Sequence, residues 1–399
     1  MSTLSVCIAT HERAHLLRRA LDGLLGQERP PDEVVISDSS TSASCEAVVR
    51  SYVARGMLGA VIYRRTPRRA LQWQRWFAFE HSCGQIVLFL DDDVWLAPTA
   101  LLVLERAYDN LRKMEHRPVV GVGFLQSWED GSQPTRYATA LRERWLGTSR
   151  RPAGTVTRGG LSVSMGGLTA HAPIRVDYLW GGAMSYRREV LLEVGFLDRL
   201  AALYDAGIGR GEDAVLSAHG GKHGSLYIIT QALARHPSVG EAASTPYATS
   251  GWRLGLTGTW GKAHTLRWIA TDTAAYRRAL SRVITLELAR SARALLTRPW
   301  GWVEWQRMAG ACYGMLQVVG CWRRIPISAR SVEKGQRVSD RANVMPVAAD
   351  VPKASGEPLR LESDSDGVRT DLPLAIGVSR METVVGTRAC LPRDQKPKE

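Results

Sequence analysis

Three consecutive carboxylates follow a short apolar run near residue 90 of this 399-residue chain. Residues 86–90 are β-forming and apolar, and Asp91, Asp92 and Asp93 come directly after them. Such a run predicts a buried strand of a parallel sheet, and ligands bind beyond the carboxyl ends of these strands. Adjacent carboxylates repel one another unless a cation neutralises them, and oxygen ligands suit Mg²⁺ or Mn²⁺ together with substrate phosphates. The cluster predicts a divalent-metal site, with a solvated acidic turn as the alternative.

The chain around this cluster alternates strands with helices. Apolar runs at residues 4–9, 33–37, 60–63 and 86–90 predict strands, and segments with helical periodicity separate them. The order β-α-β-α-β-α-β predicts an α/β fold with a mostly parallel, doubly wound sheet. Polar residues follow the strands, so their side chains are expected in one cleft. These residues are Thr10, Glu12 and Arg13 after the first strand, Asp38 after the second and the acidic triplet after the fourth.

Two later segments combine glycine with residues able to do chemistry. Trp180, Gly181 and Gly182 form the first, where the glycines permit close backbone approach to a ligand. Gly211, Glu212 and Asp213 form the second, directly before a predicted helix. In that position Asp213 could simply cap the helix instead of taking part in chemistry. His236 precedes Pro237, a context typical of an ordinary loop histidine.

These segments, in this order, resemble family 2 glycosyltransferases of the GT-A fold. The resemblance rests on residues 5–13, Asp38, the triplet at 91–93, residues 180–182 and residues 211–213, and it covers residues 4 to about 240. It implies a Rossmann-like, mostly parallel sheet with flanking helices. It also implies transfer of a sugar from a nucleotide-diphosphate sugar to a hydroxyl acceptor, with inversion at the anomeric carbon.

The resemblance assigns the donor-side residues. Asp91 and Asp93, with His236, would hold Mg²⁺ or Mn²⁺ against the leaving diphosphate, and Asp91 would alternatively touch the ribose or sugar. Asp38 would accept the imide N–H of uracil or thymine, so a UDP or dTDP donor is favoured; a turn or cap aspartate is the alternative. The remaining nucleotide-sugar contacts would come from Thr10, Glu12, Arg13, Arg75 and Asp92. Arg75 lies in a segment where Trp73 and Trp76 replace the family's small residues.

The acceptor side is assigned in the same way. Asp213 would be the general base that deprotonates the acceptor hydroxyl, and Glu212 would share that role or bind acceptor hydroxyls. Trp180 would offer a flat face to a sugar ring beside Gly181 and Gly182, with a core tryptophan as the alternative. Residues 127–168, which show weak periodicity, would form an irregular insertion over the cleft.

Charge is uneven along the chain. The whole chain carries +13 with a pI near 9.8, and residues 251–330 contain 13 basic residues against 3 acidic ones. Tryptophans at 300, 302, 305 and 322 accompany a helical apolar stripe in this region. A basic, tryptophan-bearing amphipathic region is typical of an anionic membrane surface element, and helices packed on the catalytic domain are the alternative.

We therefore expect three regions. Residues 1–245 would be the GT-A catalytic domain, with nucleotide-sugar binding in 1–125 and the acceptor part in 126–245. Residues 246–330 would be a basic helical region for a membrane surface or an acceptor, and residues 331–399, polar and aperiodic, a disordered tail.

The composition also bears on location and partners. No apolar stretch of 18 residues occurs, no signal peptide is evident, and the six cysteines include no CxxC pair. These features predict a cytoplasmic protein, peripheral on the inner face of the cell membrane if the basic region binds lipid. A lipid-linked or polysaccharide acceptor in bacterial envelope glycan synthesis would suit that location.

Other classes of protein fit the sequence less well. A sugar-nucleotide nucleotidyltransferase would need a glycine-rich loop after the first strand, and residues 9–13 contain no glycine. A nucleic-acid-binding protein is disfavoured because the basic residues alternate with an apolar stripe and form no recognised module. A non-catalytic module that binds a nucleotide sugar or an anionic surface is disfavoured by the intact set of acids.

Overall fold

The computed structural model describes residues 2–56, 60–66, 68–128, 136–166, 168–237 and 250–322. A mixed sheet of nine strands forms the centre of this part of the chain, with helices on both faces. The strands are β1 (Leu4–Thr10), β2 (Glu33–Asp38), β3 (Ala60–Arg65), β4 (Ile86–Asp91), β5 (Trp95–Leu96), β6 (Val119–Trp128), β7 (Ile174–Val176), β8 (Ala183–Arg187) and β9 (Ser225–His236).

In the described ranges, eight helices lie between the strands and four follow β9. The first group is α1 (Ala14–Leu25), α2 (Ser44–Ala54), α3 (Leu71–Glu80), α4 (Ala100–Met114), α5 (Arg136–Leu146), α6 (Arg188–Val194), α7 (Asp198–Asp205) and α8 (Glu212–Gly220). The second group is α9 (Gly251–Leu256), α10 (Lys262–Ile269), α11 (Thr273–Thr297) and α12 (Trp302–Trp322). A π-helical turn, Thr257–Gly261, joins α9 to α10.

The strand order is β3-β2-β1-β4-β8-β6-β9-β5, with β7 paired to β9 outside this path. Strands β3, β2, β1 and β4 are parallel, and the register aligns Thr10 with Asp38 and Ala9 with Asp91. The carboxyl ends of these strands therefore lie at one edge, where the sequence predicts a cleft. The predicted α/β fold with flanking helices is confirmed.

The second half of the sheet differs from the predicted, mostly parallel arrangement, because it contains antiparallel and very short strands. Strand β8 is antiparallel to both β4 and β6, and β5 and β7 have two and three residues. The sequence context before Pro237 predicts a loop at His236, but β9 continues to His236, past a register shift against β6. This extension makes His236 a strand residue instead of a loop residue.

The sheet is buried on both faces. One core cluster packs α1, α2 and α4 on one face through residues such as Leu17, Val49 and Leu104. The other cluster packs α3 and α6 on the opposite face through Phe79, Met184 and Leu191. The near-continuous apolar sequence of β1, β2 and β4 follows from this two-sided burial.

The C-terminal helices pack closely through glycines. A β-carbon at Gly255 of α9 would lie 2.2 Å from the Arg307 carbonyl oxygen and 2.4 Å from the Ala311 nitrogen of α12. A separate apolar cluster joins α10, α11 and α12 to Leu146 of α5. The segment 127–168, for which the sequence predicts an irregular insertion, therefore contains a helix that packs on the C-terminal layer.

The remaining predictions about the C-terminal third concern a membrane-spanning helix, the tail and the domain boundary. Within the described ranges, no helix is long and apolar enough to cross a membrane. The tail predicted for residues 331–399 lies outside the described residues, and the division at residue 245 remains a prediction.

Candidate active site

The first functional cluster joins the ends of β1 and β4. Arg13 follows β1 and donates from Nε to Asp92 (3.1 Å) and from Nη1 to Asp93 (2.9 Å), with a further bond from Nη2 to Asp92. The Thr10 hydroxyl donates to Asp92 at 2.6 Å. Asp92 is fully buried, and it fixes Arg13 and Thr10 under the acidic turn. Burial is the largest cause that raises the pKa of Asp92 to about 7, against the opposing charge of Arg13.

Asp93 lies next to His236 although the two are far apart in sequence. Asp93 Oδ1 is 3.5 Å from His236 Nε2, and this oxygen is buried without a hydrogen-bond partner among the described residues. Burial, followed by the charge of Asp91, raises the pKa of Asp93. The extension of β9 alongside β6 is what brings His236 to this edge of the sheet.

Arg75 connects the acidic turn to the second cluster. This residue of α3 is buried, donates from Nη1 to Glu212 Oε1 at 2.9 Å and from Nη2 to the Gly181 carbonyl at 2.7 Å, and also pairs with Asp91. One guanidinium therefore spans the carboxyl end of β4 and the start of α8. The predicted contact of Arg75 with a nucleotide remains a prediction.

Glu212 and Asp213 begin α8 after Gly211, which has φ +87°. Glu212 accepts bonds from Arg75 and from the Tyr204 hydroxyl. Asp213 Oδ1 accepts the Ala214 N–H at 2.8 Å. A β-carbon at Gly181 would lie 3.4 Å from that of Asp213, so the turn 180–182 passes directly beside this carboxylate.

The pKa values of both carboxylates are raised. Burial and then the charge of Asp213 raise the pKa of Glu212 to about 7, against the charge of Arg75. Burial raises the pKa of Asp213, while the Ala214 N–H, Arg75 and Lys262 act in the opposite direction. A carboxylate with a raised pKa is a better proton acceptor near neutral pH.

Two predicted donor-side residues have different partners. Glu12 accepts four hydrogen bonds from the backbone and hydroxyls of Thr41 and Ser42, which lower the pKa of its carboxyl to about 2. Asp38 is buried and accepts the Ser40 N–H at 2.7 Å and the Tyr63 hydroxyl at 2.6 Å. Both residues organise the loop after β2, and their contacts with a nucleotide remain predictions.

The turn 180–182 is tied to the acidic strand end. The Gly182 carbonyl accepts the Asp91 N–H at 2.9 Å, and a β-carbon at Gly182 would clash with the Gln126 side chain. Trp180 is half-buried against the second core cluster, so it combines features of a core tryptophan and of a site-lining one.

Several residues near the site were not predicted from the sequence. Gln74 donates to the carbonyls of Thr10 (2.9 Å) and Ser37 (3.1 Å), which links the ends of β1 and β2. The charge of Lys262 lowers the pKa of Asp213, and the charge of Arg210 lowers that of Lys262. No local motif in the sequence marks Lys262. The sequence does not indicate which element the helix of residues 262–269 contacts.

The first part of the chain is similar in sequence to known proteins. Residues 5–194 match the family model described as "Glycosyl transferase family 2". An uncharacterized protein, MT1568, of Mycobacterium tuberculosis (strain CDC 1551 / Oshkosh) is 28% identical over 121 residues, which are 30% of this chain and 35% of that protein. The chain thus spans about a third of this relative's length.

Several solved structures are also similar. TarS 1–349 of S. aureus has a TM-score of 0.47 at 15% identity, with 79% of this chain and 81% of that chain covered. The mannosyltransferase PcManGT from Pyrobaculum calidifontis, in complex with GDP-Man and Mn²⁺, has a TM-score of 0.44 at 17% identity, with 81% and 88% covered. GalNAc-T7 with UDP, GalNAc and Mn²⁺ has a TM-score of 0.45 at 17% identity, with 77% and 54% covered.

The family match includes β1, β2 and the turn 91–93 but ends before Glu212, Asp213 and His236. The match confirms the resemblance seen in the sequence over the shared residues. Residues 5–194 belong to glycosyl transferase family 2, and the chain carries a glycosyltransferase domain of that family.

Proposed function

We propose that this protein is an inverting glycosyltransferase that transfers a sugar from a nucleotide-diphosphate sugar to a hydroxyl acceptor. The single observation that carries the proposal is the pair of acidic groups joined by Arg75 at one edge of the sheet. Asp91 to Asp93 with His236 are on one side, and Glu212 with Asp213 are on the other. This arrangement supplies one set of residues for a leaving diphosphate and a separate carboxylate for the attacking hydroxyl.

The donor set suits a divalent metal. Asp93 offers a buried carboxylate oxygen that lacks a hydrogen-bond partner among the described residues, and His236 Nε2 is 3.5 Å from it. Within the described ranges, no group of three or more His, Cys, Asp or Glu residues is arranged to hold a metal. Mg²⁺ and Mn²⁺ commonly take few protein ligands and complete their shell with phosphate oxygens and water. Asp93 and His236 would therefore hold the metal, and Asp91 would serve the sugar or ribose through its position beside Arg75.

The protein's own groups supply the rest of the reaction. A divalent metal held by Asp93 and His236 would supply positive charge to neutralise the departing diphosphate. Arg13 orients Asp92 and Asp93, and Arg75 holds Asp91 and Glu212 at a fixed separation. Asp213 removes the proton from the acceptor hydroxyl as that oxygen attacks the anomeric carbon, and its raised pKa favours the transfer near neutral pH.

The finer assignments extend the same proposal. UDP or dTDP is the favoured donor nucleotide through Asp38, with Thr10, Glu12 and Arg13 shaping the nucleotide side. Trp180, Gly181 and Gly182 line the acceptor side next to Asp213. A sugar-nucleotide nucleotidyltransferase and a non-catalytic binding protein are the remaining alternatives, and the carboxylate beside the turn 180–182 favours a transferase that must deprotonate an acceptor.

The acceptor is proposed to be lipid-linked or part of a polysaccharide, at an anionic membrane surface on the cytoplasmic side. Support comes from α12, whose outer face exposes apolar side chains at helical spacing. Trp302 and Trp305 are exposed there together with Tyr313, Leu316 and Val319, and Trp300 precedes the helix with 96% of its surface exposed. Arg293 and Arg298 are exposed near the same end. Tryptophan and arginine together are the residue types that bind an interfacial, anionic lipid surface.

Binding of nucleoside diphosphates tests the proposal. Stabilisation of the full chain against heat by UDP, dTDP, GDP and ADP should be measured with Mn²⁺ and with a chelator, because a ligand that binds the native state raises its melting temperature. We expect UDP or dTDP to stabilise the wild type only with metal, and Asp93→Ala and His236→Ala to lose the metal-dependent part. Asp109→Ala, which changes a carboxylate on α4, is the control. Equal stabilisation of the wild type in chelator would contradict the metal assignment, and no stabilisation by any nucleotide would contradict the function.

A further inference from the structure

The first turn of α10 packs against the loop that leads into Glu212 and Asp213. The Thr265 hydroxyl donates to the Arg210 carbonyl at 2.7 Å. A β-carbon at Gly261 would lie 2.4 Å from the Ile208 carbonyl oxygen, and one at Gly211 would lie 2.9 Å from Thr265 Cγ2. The C-terminal helical layer therefore forms one wall of the site, although the match to the transferase family ends at residue 194.

Lys262 is brought to Asp213 by this packing. It precedes Thr265 by three residues, so the two side chains share one face of α10. Lys262 is half-buried, and burial followed by the charge of Arg210 lowers its pKa, while Asp213 opposes that change. Lys262 therefore lies on the face of α10 that contacts the Arg210 carbonyl through Thr265, next to the loop that leads into Asp213.

Arg142 joins this group from α5. Leu146, one turn later on the same face of α5, is buried with Ala263 and Leu266 of α10. Arg282 of α11 donates to the Leu146 carbonyl at 3.2 Å, which fixes the end of α5 on the C-terminal layer. The charge of Arg142 also lowers the pKa of Lys262, so a further cation lies within electrostatic range of the ammonium group.

Among the described residues, no ion pair neutralises any of these three cations. No carboxylate in the described ranges forms an ion pair with Lys262, Arg210 or Arg142, whereas Glu212 is already paired with Arg75. Lys262 is half-buried, and Arg142 and Arg210 are exposed. Like charges that lie near one another repel, and an anion bound between them removes that cost. A phosphoryl group, with close to two negative charges at neutral pH, matches three cations better than a single carboxylate does.

We propose that Lys262, Arg210 and Arg142 form an acceptor subsite that binds a phosphoryl group of the acceptor and places a neighbouring hydroxyl at Asp213. The proposal rests on the proposed function and adds to it the chemical class of the acceptor. The donor diphosphate belongs at Asp93 and His236, on the other side of Arg75, so the two phosphate-binding places are separate.

Inorganic phosphate binding to the full-length protein, already saturated with UDP and Mn²⁺, tests the subsite. We expect Lys262→Met to weaken phosphate binding about tenfold, which is the loss of one charge-assisted contact, and to leave the affinity for UDP unchanged. Lys262→Arg should retain most of the phosphate affinity because it keeps the charge. Arg278→Ala, which removes an exposed arginine of α11, is the matched control.

Two results would overturn the subsite. The first is phosphate binding by Lys262→Met that is as tight as binding by the wild type. The second is a loss of UDP affinity in Lys262→Met, which would assign the cation to the donor diphosphate. Failure of the wild type to bind any nucleoside diphosphate would contradict the proposed function itself and is measured separately. The melting temperature of each variant reports whether it is folded.

Competition with organic phosphates distinguishes the two sources of this chemistry. Glycerol 1-phosphate represents a soluble or polymeric phosphate acceptor, and citronellyl phosphate represents a lipid-linked one. Displacement of inorganic phosphate by either compound supports the subsite and identifies the source. Displacement by citronellol as effective as that by citronellyl phosphate would overturn it, because citronellol carries no negative charge.

Discussion

Glu212 and Asp213 are adjacent in the sequence but have different surroundings. Glu212 is held by Arg75 and Tyr204, whereas Asp213 lies against the turn 180–182 and near Lys262. Two hydrogen-bond partners fix the position of the Glu212 carboxylate, whereas the glycine turn beside Asp213 leaves room for a ligand. This difference favours Asp213 as the general base and Glu212 as a neighbour that changes the pKa of Asp213.

Asp213→Asn is expected to lower turnover by about 10²–10⁴-fold, because the amide cannot take the acceptor proton while the shape of the site is kept. The affinity for UDP with Mn²⁺ should stay within twofold of the wild-type value. Release of UDP from the donor in the presence of acceptor-containing membranes gives the turnover, and calorimetry gives the affinity. Loss of UDP affinity in parallel with turnover would assign Asp213 to the donor instead.

Glu212→Gln should shift the acidic limb of the pH–rate profile to lower pH. The charge of Asp213 raises the pKa of Glu212. Repulsion between two carboxylates acts on both of them, so the neutral glutamine should lower the pKa of Asp213 and leave the base ionised at a lower pH. The profile of kcat from pH 4 to 9 measures this shift. Asp205→Asn, a carboxylate paired with Arg68, is the control whose profile should not move. A shift of the glutamine variant to higher pH would contradict the assignment.

Much of this residue-level picture follows from the sequence because parallel strands end at one edge of a sheet. Thr10, Asp38 and Asp91 each end a strand, so the strand pattern alone predicts that they lie close together. The partners of these residues do not follow from that pattern. Arg13 binds the acidic turn, and Glu12 binds Thr41 and Ser42, because side-chain pairing depends on loop geometry that strand periodicity does not encode.

At the scale of elements, α9 and α12 are in unusually close contact. Gly255 meets the backbone of α12 at distances that only a residue without a β-carbon permits, and Gly310 and Gly314 of α12 meet α9 and the π-helical turn in the same way. The sequence contains these glycines without indicating which helices they join. The same limit applies to β8, whose strand character is obscured by Ser185, a buried residue that donates to the Val122 carbonyl at 2.5 Å.

Gly255→Ala should destabilise the C-terminal layer, because a methyl group there would overlap the Arg307 carbonyl and force α9 away from α12. We expect a loss of about 1–3 kcal/mol in the free energy of unfolding, the usual cost of overpacking. Urea unfolding followed by tryptophan fluorescence measures the change. Gly26→Ala is the control, since a β-carbon there would have its nearest contact at an ordinary 3.6 Å. Equal stability of the two variants would show that the helices separate without cost.

At the scale of the whole molecule, the C-terminal helices have an inner and an outer role. Their inner side brings Lys262 to Asp213 and closes one wall of the site. Their outer side presents Trp302, Trp305 and Leu316 to solvent. An apolar face of this kind is costly to expose to water, and beside exposed arginines it is suited to an anionic lipid interface. A single layer would thus hold the acceptor site against the surface from which a lipid-linked acceptor arrives.

Replacing Trp300, Trp302 and Trp305 together by serine should release the protein from vesicles that contain anionic lipid. Burial of one large apolar side chain contributes about 1.5–3 kcal/mol, and partial insertion of three tryptophans is therefore expected to account for at least a hundredfold of the vesicle affinity. Co-sedimentation with phosphatidylglycerol vesicles at low and high salt measures this, and the affinity for UDP with Mn²⁺ reports whether the variant is folded. The control variant, Met114→Ser with Leu192→Ser, removes exposed apolar side chains of the catalytic part. If the control and the tryptophan variant co-sediment equally well, α12 does not bind the membrane, and its exposed face needs a different partner.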